Sequence, residues 1–394
     1  MSRRWEHVSR AAAALMLAAA SAAGCGRPAE PVVLPGSDPI ATGPARVEGG
    51  GPVGAAGERA LAVVRRIPPE VVRLAYEIAA SDDGAYVAVA SWMDENSSRL
   101  TLRVFAADRA APVLTREVTN DSGGFTDVDV ADFSPGGRAM IYAEGTDGRP
   151  VRTAVFDLAG RTSRVPPAGL TRPEFSRDAS RFAGVTEDPY RLAVHTVAGA
   201  RESLSPPLTP LVKLDDPEAE SPPAHVAVTS AGDRSVGVSA LGYWKWLPRD
   251  GEITFVRCGC RATQMAIDRD ARLVAFGDFS GQVSVWDTVT DREIAAWHVP
   301  GPPDGEPYER LSAEGYGPLT VLKFSLDGSR LFTVNVQGYA WDARTGRPLG
   351  RAGLSGPPSA IVELQPMAGG AALVRAVETG ARSGGRLSVL SFPE

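Results

Sequence analysis

The feature that most constrains this chain is a pattern that returns along most of its length. An alternating apolar stretch runs into a turn rich in Asp, Gly and Ser, and a second, strongly apolar stretch follows. After a loop, a third stretch tends to end in an aromatic residue plus Asp. One clear copy runs from Met265 through Asp268-Arg269-Asp270-Ala271 and Leu273-Val274-Ala275-Phe276 to Trp286-Asp287. Another runs from Leu322 through Phe324-Ser325-Leu326-Asp327-Gly328 to Trp341-Asp342, and a third from Val130 through Phe133-Ser134-Pro135-Gly136-Gly137 to Phe156-Asp157. Against this template, weaker copies stand at Ser81-Asp82-Asp83-Gly84, Ser176-Arg177-Asp178-Ala179, Ser230-Ala231-Gly232-Asp233 and Gln365-Pro366-Met367-Ala368-Gly369. The seven turns recur at intervals of roughly 38 to 57 residues, the length of a four-stranded unit with variable loops. The longer intervals coincide with Pro-rich and polar insertions at 206–223 and 300–318.

A single unit of this kind is a small twisted antiparallel sheet that cannot cover both of its faces. Stacking copies around an axis covers them and leaves only short edges. The expected fold is therefore all-β: a seven-bladed β-propeller of four-stranded antiparallel blades over residues 58–394. The last copy stops at its third strand, 386–392, and so is one strand short. The apolar run Leu61-Ala62-Val63-Val64-Arg65-Arg66 is the candidate for the missing strand, which predicts a ring closed by an N-terminal strand.

The copies ending Trp286-Asp287 and Trp341-Asp342 resemble the WD-repeat family. Phe156-Asp157 fits less fully, and Phe105, His195 and Trp246 stand at the same place in other copies. The resemblance implies that Trp246, Trp286 and Trp341 pack between neighbouring sheets, and that Asp287 and Asp342 start the turn into a fourth strand. The Gly-His pair that opens many blades of that family is missing here. The family's buried His–Ser–Asp–Trp network is accordingly not expected, and the blades are expected to hold together by packing alone.

The N-terminus reads differently. Arg3, Arg4 and Arg10 precede an apolar run at 11–20, small residues Ser21-Ala22-Ala23-Gly24, and then Cys25. This is the pattern of a secretory signal peptide over residues 1–24, and the run is too short to span a bilayer. Small residues directly before Cys25 resemble a bacterial lipobox, although Ala22 stands where leucine is commonest. An odd cysteine at a cleavage site in an oxidising compartment also favours lipid attachment at Cys25. Residues 25–57 are rich in Gly, Pro and Ala and read as a flexible tether. The expectation is an extracytoplasmic protein, lipid-anchored to a bacterial envelope. Gly26 after that cysteine points to the outer membrane where the cell has one.

Composition narrows the function. The formal charge is −6, which argues against a non-specific nucleic-acid binder, since such a protein needs a basic face. No Gly-x-Ser-x-Gly elbow, His-Glu-x-x-His or phosphate-cradling Gly-x-x-x-x-Gly-Lys appears, so no catalytic residue, metal ligand or cofactor is assigned. Cys258-Gly259-Cys260 leaves three readings open, namely a local disulfide, a metal or redox role, and free thiols; a secreted location favours the disulfide. The loops expected on one rim are acidic and aromatic, and Trp92, Asp94, Glu95, Tyr190, Asp278, Phe279, Tyr308 and Tyr316 are the candidate partner-binding residues. The favoured reading is a non-enzymatic scaffold that binds another cell-envelope protein carrying a basic patch. The alternative is an extracytoplasmic enzyme of lactonase or quinoprotein type with a ligand or metal at the central channel. That alternative needs inward-facing polar residues from several blades, and only Asp278 and Asn335 offer themselves.

Overall fold

A computed structural model describes residues 47–48, 54–93, 99–118, 126–146, 149–164, 169–187, 189–199, 202–208, 223–258, 262–278, 280–300, 319–334, 337–354, 359–378 and 386–392. Cys25, the leader and most of the expected tether lie outside them. Among the described residues the strands form seven four-stranded sheets. Blade 1 runs from Ala75 to Val118, blade 2 from Thr126 to Arg164, and blade 3 from Thr171 to Leu204. Blade 4 runs from His225 to Arg257, blade 5 from Gln264 to His298, blade 6 from Val321 to Gly353, and blade 7 from Ser359 to Ser391. Within blades 1 to 6, consecutive strands pair antiparallel in chain order. First strands of successive blades touch one another all the way round, and the first strand of blade 7 touches that of blade 1. The seven-bladed expectation holds, with the first strands around the axis and the fourth strands outside.

The turn that made the repeat visible shares one feature in all seven blades, although those of blades 2 and 7 add a second positive-φ glycine, Gly136 and Gly369. Three residues beyond Ser81, Ser134, Ser176, Thr229, Asp268, Ser325 and Met367 the backbone adopts a positive φ, at Gly84, Gly137, Ala179, Gly232, Ala271, Gly328 and Gly370. The side chains of the motif hold it there. Ser81 Oγ donates to Asp83 Oδ1 at 2.7 Å and accepts from Tyr86 N at 2.9 Å, and Ser325 and Asp327 repeat the donor pair at 2.6 Å. Such Asx- and Ser-turns are the physical reason for the Ser-x-Asp signature.

Buried apolar side chains form seven clusters, one at each seam between blades. Phe105, Phe156, His195, Trp246 and Trp341 are buried there. Trp286 is only half-buried, so the seam between blades 4 and 5 leans less on its aromatic than the repeat implies. Asp287 and Asp342 accept the backbone N–H groups of Val289 and of Thr345, at 2.8 and 2.9 Å, as turn-starting residues do.

Two expectations need correction. Residues 61–66 are not a strand. Ala55–Val64 is an α-helix (α1), and Pro69–Arg73 is a second, short one (α2). The apolar run was too short to separate the two periods by itself. Its buried residues are Ala56, Gly57, Ala60, Leu61, Val63 and Val64, which is a helical stripe. The fourth strand of blade 7 is instead Val47–Glu48, two residues that pair parallel with Val389 and Leu390.

Helix α1 lies between the last blade and the first. Its apolar stripe shares a cluster with Val87, Val89 and Phe105 of blade 1 and with Leu373, Leu387 and Val389 of blade 7. Arg59 donates to the Asp83 carbonyl at 2.7 Å and Arg66 to the Ala107 carbonyl at 2.6 Å. A Cβ on Gly84 would come within 1.9 Å of the Ala56 carbonyl oxygen, so the helix fits only because that turn residue has no side chain.

Candidate functional site

The first strand of each blade has a partner strand on one side and the channel on the other. Its channel-side N–H and C=O groups therefore need partners from outside the sheet. In several blades a charged or polar side chain of the preceding blade supplies them. Asp132 Oδ2 accepts from Phe175 N at 3.2 Å, and Glu363 Oε1 from Ile78 N at 2.9 Å. Gln365 Nε2 donates to the Ile78 carbonyl at 3.0 Å, Arg375 Nη1 to the Ala75 carbonyl at 3.3 Å, and Thr320 Oγ1 to the Ile361 carbonyl at 2.7 Å.

The acids are aimed by irregularities in the strands. Register shifts lie directly before Glu77, Asp132, Glu174 and Glu363, on the inner strands of blades 1, 2, 3 and 7. A bulge re-aims the side chain that follows it. In blade 3 the bulge contains Arg172 at φ 45, a left-handed conformation that costs a side-chain-bearing residue energy.

Cations close the set. Arg269, in the turn of blade 5, reaches Asp132 of blade 2, with Nη2 at 2.7 Å from Oδ1 and 3.1 Å from the Phe133 carbonyl. Blades 2 and 5 are not neighbours, so this pair crosses the axis. Beside it, Arg177 of blade 3 meets Asp270 of blade 5 at 2.6 Å. Glu363 pairs with Arg375 at 3.0 Å, and Glu174 with His225 Nδ1 at 3.2 Å. Burial pushes the Asp132 carboxyl up to about 6, against the pull of Arg269. Burial likewise raises Glu363 despite Arg375. Burial acts on Glu174 in the same direction, but its hydrogen bond to His225, together with the charges of His225, Lys323 and Arg269, holds it below the usual range. Burial lowers His225, outweighing Glu174. Among the described residues no three His, Cys, Asp or Glu side chains converge as metal ligands would.

These channel residues were missed in the sequence, yet a local signal marks several. Asp132, Glu174 and Lys323 each stand immediately before a Phe-Ser pair at the end of a first strand. The enzyme alternative asked for inward-facing polar residues from several blades, and the structure supplies them. It places them, however, in pairs with each other and with backbone groups.

The rim candidates fare unevenly. Trp92 ends the strand Tyr86–Trp92 rather than sitting free in a loop; it is half-buried, edge-to-face with Tyr76 at 5.9 Å. Tyr190 is also half-buried and packs on the cluster of Leu192 and Leu208. Asp278 Oδ1 accepts from Ser280 N, Ser280 Oγ and Gln282 N at 2.9, 2.7 and 2.9 Å, which makes it a hairpin cap. Asp94, Glu95, Phe279, Tyr308, Tyr316 and Asn335 lie outside the described residues. Cys258 is disulfide-bonded, and Cys260 lies outside the described residues. Packing alone does not hold the blades. Besides the channel contacts, Tyr243 Oη and Lys245 Nζ of blade 4 hold Asp291 of blade 5 at 2.9 and 2.5 Å, and within blade 6 Trp341 Nε1 donates to Thr333 Oγ1 at 2.8 Å.

No family model and no curated protein matches this sequence. Among solved structures, the β-propeller domain of Cps50 (Swd1) from Myceliophteria thermophila is similar, with a TM-score of 0.52 and 13% sequence identity. The match covers 77% of this chain and 93% of that one. At that identity the likeness is one of fold. By architecture, then, the chain is a seven-bladed β-propeller.

Proposed function

We propose that this propeller is a non-enzymatic binding scaffold outside the cytoplasm, held to the bacterial envelope by a lipid on Cys25. It presents its loop rim to another envelope protein. The observation that carries this reading is the use made of the channel's charges. Asp132, Glu174 and Glu363, the inward-facing groups that chemistry would draw on, are joined to Arg269, His225 and Arg375 and to edge backbone of the next blade. Recognition then falls to the loops, where side chains are not needed to hold blades together. The acidic loops favour a partner with a basic patch, and association should slow as salt rises through the physiological range.

Two measurements test this. Replacing Cys25 with Ser should move the protein from the membrane to the soluble fraction; retention on membranes after a salt wash removes the anchor from the reading. Cross-linking the intact lipoprotein in membranes should trap a partner, and changing Phe279, Tyr308 and Tyr316 to Ala should abolish the adduct without altering thermal stability. Turnover of a lactone or a phosphoester by the purified propeller would instead favour an enzyme.

A further inference from the structure

The turn of blade 5 departs from the repeat at its first residue. In blades 1, 3 and 6 two side chains share the work of closing the turn. Ser81, Ser176 and Ser325 accept the N–H five residues on, from Tyr86, Arg181 and Arg330. Asp83, Asp178 and Asp327 accept the N–H before that one, from Ala85, Ser180 and Ser329, and take the serine hydroxyl as a second donor. Blade 5 has Asp268 in place of the serine, and its Oδ1 accepts both N–H groups, from Arg272 at 2.7 Å and Leu273 at 2.9 Å. The turn therefore closes without Asp270, which stands where Asp83, Asp178 and Asp327 stand. Asp270 Oδ2 accepts instead from Arg177 Nη1 of blade 3 at 2.6 Å. Its neighbour Arg269 donates Nη2 to Asp132 Oδ1 of blade 2 at 2.7 Å and to the Phe133 carbonyl at 3.1 Å. Blade 4 stands between blades 3 and 5 in the ring, so two consecutive residues of one turn hold two blades with which blade 5 shares no seam.

The two ties lie at different depths. The side chains of Arg269 and Asp132 are 15% and 17% exposed, those of Arg177 and Asp270 51% and 39%. Arg177 belongs to the turn of blade 3, whereas Asp132 stands on its strand two residues before Ser134, so the exposed pair lies nearer the turn end. The ties also have opposite polarity. A slip of the blade 5 turn by one place would set Arg269 against Arg177 and Asp270 against Asp132, and like charges would reject it. We infer that the turn of blade 5 is a strut across the axis, which makes blades 2, 3 and 5 resist opening together through the interior of the ring. Seams pass a disturbance of blade 5 to blades 4 and 6; the strut passes it to blades 2 and 3. The exchange of serine for Asp268 is what releases Asp270 for this use.

Amide hydrogen exchange on the full chain tests this, with the strand Ala371–Glu378 of blade 7 as reference. Arg269→Met leaves Asp132 without its partner and should speed exchange of the Phe175 N–H, which Asp132 accepts at 3.2 Å, at least about tenfold. The outer tie is read at the Ala179 N–H, which donates to the Ser176 carbonyl at 2.9 Å. Arg177→Gln and Asp270→Asn should each speed its exchange, by up to about fivefold for so exposed a pair. The double variant should exchange no faster than the faster single one. Acceleration confined to blade 5 in Arg269→Met overturns the strut, as do accelerations that multiply in the double variant. If Arg269→Met speeds the reference strand equally, that variant has lost global stability, and the outer cycle decides alone.

Discussion

Between blades 2 and 3 the chain runs on from Arg164 to Thr171, so the two sheets are neighbours along the sequence before they are neighbours in space. Their seam is a modest cluster, with Ile141, Val155, Phe175 and Phe182 at its centre, plus the Asp132–Phe175 hydrogen bond along the channel. Between blades 7 and 1 the sheets come from opposite ends of the sequence. That seam has an added element, helix α1, and ties from Glu363, Gln365 and Arg375. Chain entropy bears on the two seams differently. A short linker keeps adjacent blades at high local concentration, whereas the last and first must be brought together across a long loop. Of these two seams, the closing one has the larger apolar cluster.

That contrast can be broken in a graded way. The largest effect should come from Val63→Asp. Val63 is fully buried in the wedge, and an unpaired charge there should cost about 5 kcal/mol, read as a shift in urea unfolding. A variant that unfolds like the parent would show that the wedge does not close the ring.

A linked seam should depend on its buried aromatic. Trp341→Ala, which removes a 6% exposed side chain and its bond to Thr333, should cost about 4 kcal/mol. The half-buried Trp286 should cost about half as much on the same substitution. Equal losses would mean that the repeat position, rather than burial, sets the price.

Asp132 sharpens the comparison from the channel side. Asp132→Ala leaves the N–H of Phe175 and one side of Arg269 without their acceptor and should cost about 1–3 kcal/mol. Its pH dependence has a definite sign. Burial raises its folded-state value from 3.8 to about 6, so between those values the folded chain binds the extra proton. This group's contribution is fully present below about pH 3.8 and is lost as pH rises through about 6. Asp132→Asn should flatten that slope in stability measured from pH 4 to 7.

The smallest effect should come from the two-residue strand. Val47→Pro disturbs a parallel pairing with only Val389 and Leu390 and should shift stability by less than about 0.5 kcal/mol. A loss as large as that from Val63→Asp would make the strand, and not the helix, the closing device.

Much of this was open to reading in the residues themselves. The Ser-x-Asp-Gly turns and the Trp286-Asp287 and Trp341-Asp342 endings are local devices. Their hydrogen bonds close within a few residues, so their geometry is written where they stand. Ala179 and Ala271 take the left-handed position that glycine fills in other blades, and only the repeat makes them recognisable. The apolar run at 61–66 failed as a guide because six residues fit either period. Ala56, a turn upstream, carries the helical one. Trp92 and Tyr190 looked like free loop aromatics because neither Tyr76 nor Leu208 is visible as a neighbour in the one-dimensional pattern.

Seven blades and their turns follow from the sequence alone, the closing strand of blade 7 excepted, because each unit repeats short-range constraints. What only the tertiary structure decided is what meets across the ring. Arg269 and Asp132 lie in blades 5 and 2, and nothing in the spacing of either predicts the other. Those relations arise when seven sheets close on one axis and leave each inner edge with unpaired backbone groups. The side chains that satisfy such an edge are chosen by distance in space, which a local repeat does not encode.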